Sequence, residues 1–61
     1  MMCETHAYVV RGGREELIME DVVFARPTEG KLELRDIFGA EKIVSGRIKE
    51  IQFLGHKILI E

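Results

Sequence analysis

The sequence predicts an all-β domain, a small SH3-like barrel of about five to six short strands, formed by residues 1–61 as a single unit. Three observations lead there. Turn signals recur every 8–15 residues, at "RGGR", "RPTEG", "FGAE", "SG" and "LGHK". The segments between them alternate apolar and polar residues with period two. The one stretch with helical spacing, in 41–54, is interrupted by Ser45-Gly46, and a glycine alone costs a helix about 1 kcal/mol relative to alanine.

Each element follows from its local pattern. In "THAYVV" the alternation places Cys3, Thr5, Ala7 and Val9 on one face and Glu4, His6, Tyr8 and Val10 on the other. Gly12-Gly13 permits the positive φ angles of a tight hairpin turn. "EELIMEDVVFAR" carries two apolar clusters separated by Glu20-Asp21, which reads as two short strands or one sharply bent strand. Pro27 is expected to end it, because proline cannot donate to a ladder. Leu32 and Leu34 alternate with Glu33 and Arg35 in the clearest half-buried strand. "EKIVSGRIKEIQFLG" is read as a strand pair with a change of phase between Ile48 and Ile51, which a bulge near Lys49-Glu50 supplies. The closing "KILIE" sets Ile58 and Ile60 on one face and Leu59 on the other, making Leu59 a candidate for a subunit interface. Tyr8, Phe24, Phe38 and Phe53 are expected in the core, since so short a chain needs its few aromatics inside.

Size and charge bound the function. A chain of 61 residues hides only roughly 60% of its unfolded surface, and small domains compensate with disulfides, a metal or a partner subunit. A single cysteine excludes an intrachain disulfide, leaving metal, partner or both. Apolar runs such as "LIM", "VVF" and "ILI" fall far short of the roughly 20 residues of a spanning helix, and no signal-peptide pattern is present, so the expected location is the cytoplasm. A formal charge of −2 with interleaved signs disfavours nucleic acid. A phosphate-cradling loop, HExxH, CxxC and a nucleophile elbow are all missing from the sequence, so catalysis is not expected.

Cys3 carries the remaining chemistry. A thiolate close to the terminal amine and the first backbone amides forms small chelate rings, a nitrogen and sulfur set that suits square-planar nickel(II) or copper(II) better than tetrahedral zinc. On a regular strand Cys3 and His6 diverge, so two Cys3 residues from paired chains are a better match for one metal than Cys3 with His6. Glu4 and His6 are secondary ligand candidates. The plainer alternatives are that Cys3 is a small buried hydrophobe, that Glu4 pairs with a base across the sheet, and that His6 and His56 are surface or hydrogen-bonded histidines.

At "MCETHAYVV", together with "REELIMEDVV" and the terminal "GHKILIE", the chain resembles the CooT-type small nickel-binding proteins associated with maturation of carbon monoxide dehydrogenase. Its one specific motif is the terminal Met-Cys. The resemblance implies an SH3-like barrel that pairs as a homodimer, nickel(II) as the metal, and Cys3 as a ligand through its sulfur and nearby backbone nitrogen from both subunits. It also implies a nickel enzyme or its maturation factors as partners. The family motif begins Met-Cys, whereas here Met1 precedes it, so a retained Met1 puts the amine two residues from Cys3. The family also carries an RNA-binding label. The competing expectation is therefore an RNA- or protein-binding barrel with Cys3 incidental, which requires Arg11, Arg14, Arg35 and Lys49 to converge beside an exposed aromatic.

Overall fold

The computed structural model describes residues 5–61 and consists of seven strands: β1 (His6–Arg11), β2 (Arg14–Met19), β3 (Val22–Thr28), β4 (Lys31–Asp36), β5 (Glu41–Ser45), β6 (Ile48–Gln52) and β7 (Lys57–Ile60). The all-β expectation holds, with one or two more strands than the turn spacing suggested. They form a four-stranded sheet in the order β2-β1-β7-β6 and a three-stranded sheet in the order β3-β4-β5. The described strands do not close into one hydrogen-bonded barrel. The two sheets are joined at one end, where the Val22 amide donates to the Thr5 carbonyl at 2.7 Å.

Local sequence accounts for most boundaries. Gly12 and Gly13 have φ of 56° and 77°, the twist of a two-residue turn that matches paired strands, and Arg11 lies opposite Arg14. Glu29-Gly30 makes the same kind of turn, although Glu29 must adopt φ 45°. Strand β3 continues through Pro27 to Thr28, one residue beyond the expected stop. It is an edge strand, where proline's missing donor costs no ladder bond. The apolar clusters around Glu20-Asp21 are two strands in different sheets. Residues 41–54 form no helix. They are β5 and β6, with the register shift between Ile48 and Glu50 where a bulge was expected.

The core is aliphatic. Ala7, Val22, Leu32, Leu34, Ile58 and Ile60 are buried together, with Val9, Ile18, Val44 and Ile48 packed against them. This follows the period-two reading of β1, β4 and β7, and each fully buried Leu or Ile side chain stabilises the fold by roughly 1.5–3 kcal/mol. Two expectations are corrected. None of the four aromatics belongs to the buried cluster: Phe38 and Phe53 are 84% and 83% exposed, because they fall in turns beyond the strands that line the core, and Tyr8 and Phe24 are half-buried, their rings lying beside Lys57 and Arg35. Leu59 is only 5% exposed within the single chain and is not a free interface residue. The last strand in sequence is not an edge: β7 lies between β1 and β6, running parallel to β1 with Leu59 opposite Tyr8.

The two flanks of the sandwich differ. On one, Lys42 of β5 donates to the Ile18 carbonyl of β2 at 2.9 Å, lacing the sheets together. On the other, the edge strands β3 and β6 line an open groove of about 370 Å³. Across the outer face of the larger sheet, Lys57 bonds Glu15 at 2.8 Å and lies 5.2 Å from the centre of the Tyr8 ring. The hydrogen bond from Lys57 to Glu15, and the charge of Glu15, hold the lysine above its ordinary value of 10.5.

Candidate functional site

Chain direction sorts the turns into two unlike ends. Strands β1, β3, β5 and β7 begin, and β2, β4 and β6 finish, at the end where Thr5 lies. The opposite end carries Gly12-Gly13, Glu29-Gly30 and Gly46-Arg47, the small and polar residues that tight turns favour. The amino-terminal end carries Ile37-Phe38 between β4 and β5, and Phe53-Leu54 between β6 and β7, with Leu54 98% exposed. Turns gain nothing for the fold from exposed apolar side chains, which sets this end apart from the polar one.

A chain of long-range hydrogen bonds holds that end in place. His6 donates its amide to the His56 carbonyl at 2.9 Å, and the Ile37 amide donates to the Asp21 carbonyl at 2.9 Å. Between them, Nδ1 of His6 accepts from the Asp21 amide at 3.1 Å. This bond fixes the histidine as a structural acceptor through Nδ1 and leaves Nε2 as its remaining nitrogen. It also supports Asp21 in the left-handed region at φ 53°, where Asp is among the better tolerated side chains. Sequence alone identified His6 but gave no sign of its partner, 15 residues away.

Cys3 and Glu4 lie outside the described residues. Thr5, the first described residue, lines the open groove together with Val23, Phe24, Ile51, Phe53 and His56. Among the described residues, no carboxylate, lysine or arginine lines it, and the polar side chains in the lining are those of Thr5, Gln52 and His56. Among the described residues, no group of three or more His, Cys, Asp or Glu is arranged to hold a metal ion.

The basic residues that a nucleic-acid face requires are dispersed. Arg11 and Arg14 face each other at the β1–β2 hairpin, Lys49 lies in β6 at the opposite edge of that sheet, and Arg35 belongs to the other sheet. Arg35 and Arg26 do approach one aromatic ring, at 4.6 and 5.5 Å from the centre of Phe24. Arg26 is bonded to Glu33 at 2.7 Å, and Arg35 pairs with Glu41 at 3.3 Å in a geometry too poorly aligned for a hydrogen bond. Both charges are thereby offset in place.

These features define a small two-sheet β domain with exposed apolar turn residues, Ile37, Phe38, Phe53 and Leu54, at the end where Thr5 lies. Residues 2–61 match the family described as CO dehydrogenase accessory protein CooT, and the chain belongs to that family. It is similar to the crystal structure assigned as CooT from Carboxydothermus hydrogenoformans, with 42% identity, a TM-score of 0.88, and coverage of 97% of this chain and 95% of that one. An uncharacterised protein of Methanothermobacter thermautotrophicus is 35% identical over 60 residues, covering 98% of this chain and 89% of its own length.

Proposed function

We propose that the chain is a cytoplasmic nickel(II)-binding homodimer that stores or delivers nickel for maturation of CO dehydrogenase, with the metal held between the two Cys3 thiolates. The observation that carries this reading is the place of Cys3: Met2-Cys3 stands at the head of the 60 residues that match a CO dehydrogenase accessory family. A thiolate with adjacent backbone nitrogens is a chemically suitable donor set for square-planar nickel, and a two-fold axis supplies it twice. Nickel here is cargo, bound by displacing the thiol proton.

The second copy has a natural seat in the groove between β3 and β6. It lies beside Thr5, two residues from Cys3 in sequence, and its described lining residues carry no ionised side chain that would repel across a two-fold axis. Phe53 lines that hollow and the exposed Leu54 follows it in the same turn, so a knob and a recess lie together on one face, the self-complementary arrangement of an isologous contact.

The test is a nickel titration followed by thiolate charge-transfer absorption and native mass. Expected is one nickel per two chains, release as the pH is lowered and the thiolates reprotonate, and loss of tight binding in Cys3→Ser. One nickel per chain, or tight binding retained by Cys3→Ser, would sink the bridging arrangement.

A further inference from the structure

The turn between β4 and β5 is unusually well fastened for a segment that presents an exposed aromatic ring. The Asp36 carboxylate accepts from the amides of Phe38 and Ala40, both at 2.9 Å. The Asp36 amide donates to the Ala40 carbonyl at 3.0 Å, and the Gly39 amide donates to the Asp36 carbonyl at 3.1 Å. Ile37 is tied to Asp21 in the neighbouring turn. Gly39 at φ 90° supplies the one backbone angle that side chains resist. The outcome is a rigid tip from which Phe38 stands 84% exposed. Holding an aromatic group in advance lowers the ordering cost of inserting it into a partner.

Charge distinguishes this tip from the groove. Around it, by sequence or through the Ile37–Asp21 bond, lie Glu20, Asp21, Asp36 and Glu41 against Arg35 and Lys42. Four carboxylates against two cations leave a surplus of two negative charges, equal to the net charge of the whole chain. Both cations are already engaged, Arg35 with Glu41 and Lys42 with the Ile18 carbonyl. A second copy meeting this tip across a two-fold axis would bring two acidic rims together, which is unfavourable. A different protein, with an apolar pocket bordered by Lys and Arg, complements it.

We propose that the Asp36–Ala40 turn is the docking anchor for the nickel enzyme that the chain serves, with the Phe38 ring entering an apolar pocket rimmed by basic residues. This rests on the accessory function proposed above. The tip lies at the same end of the molecule as Thr5, so docking through it brings Thr5, two residues from Cys3 in sequence, toward the partner.

The experiment measures binding of the full-length chain to purified, nickel-free CO dehydrogenase from the same organism, at low and at physiological salt. Phe38→Ser is expected to weaken binding by about tenfold or more, the loss typical of an interface anchor, while dimer mass, nickel stoichiometry and melting temperature stay unchanged. Glu20→Gln is expected to flatten the salt dependence, because it removes one charge of the acidic rim. Unaltered binding by Phe38→Ser, or no binding by the wild-type chain, would overturn the proposal. So would dissociation of the dimer in Phe38→Ser, which would make a second copy the occupant. Cys3→Ser separates the two readings: it should lose nickel yet still bind the enzyme. A wild-type chain that takes up no nickel but holds the enzyme through Phe38 would overturn the cargo assignment and uphold the docking site.

Discussion

His6 shows how far the role of one side chain depends on a neighbour distant in sequence. Its Nδ1 accepts from the amide of Asp21, a residue with positive φ in the turn that joins the two sheets. Removing that acceptor leaves a partly buried donor unsatisfied. His6→Ala should therefore lower unfolding free energy by about 1–2 kcal/mol in a urea titration. Nickel stoichiometry should not change, because the reading assigns the metal to Cys3. Loss of nickel from folded His6→Ala would instead make this histidine a ligand.

The link between β5 and β6 depends on one residue. Gly46 sits at φ 126°, and a Cβ there would run into the backbone carbonyl of Glu61, which exchanges backbone N–H to carbonyl hydrogen bonds with Arg47. The backbone of the chain end cannot yield without breaking that pair. Gly46→Ala is thus expected to cost about 2–4 kcal/mol and to lower the melting temperature accordingly, combining backbone strain with the displaced terminus. The glycine was legible as a helix breaker, and β5 and β6 are indeed strands. Its close approach to residue 61 was not, since nothing local in "VSGRI" reports what packs against it.

For the whole molecule, the two apolar residues Leu54 and Leu59 make opposite predictions. Leu54 is 98% exposed beside the groove and Leu59 5% exposed within the sheet. Serine at both Phe53 and Leu54 should shift sedimentation from dimer to monomer with little change in core stability. Serine at Leu59 should destabilise the chain by about 2–5 kcal/mol, as core truncations do. A double variant that remains dimeric at micromolar concentration would remove the groove as the seat of the second copy.

The sequence by itself determined what depends on near neighbours. Strand periodicity set Leu32 with Leu34 and Ile58 with Ile60 on common faces that are buried, and put Ala7 and Val9 on one face of their strand, because successive side chains on a strand must alternate between faces; which face of that first strand is inside was decided by the fold. Gly12-Gly13 dictated its hairpin, because two adjacent residues at positive φ are most easily glycines. The terminal Met-Cys carried the family resemblance through chemistry specific to one residue type. Only the tertiary structure decided which strand lies in the middle of a sheet. The parallel pairing of β1 with β7 sets β7 inside its sheet, and it buries Leu59, which the two apolar faces of the last strand had suggested for a subunit interface. It likewise decided that Phe38 and Phe53 face solvent, since hydrophobicity states a cost of exposure and not whether packing partners lie within reach. The gathering of those aromatics at the amino-terminal end follows from the direction of all seven strands together, a property no single segment encodes.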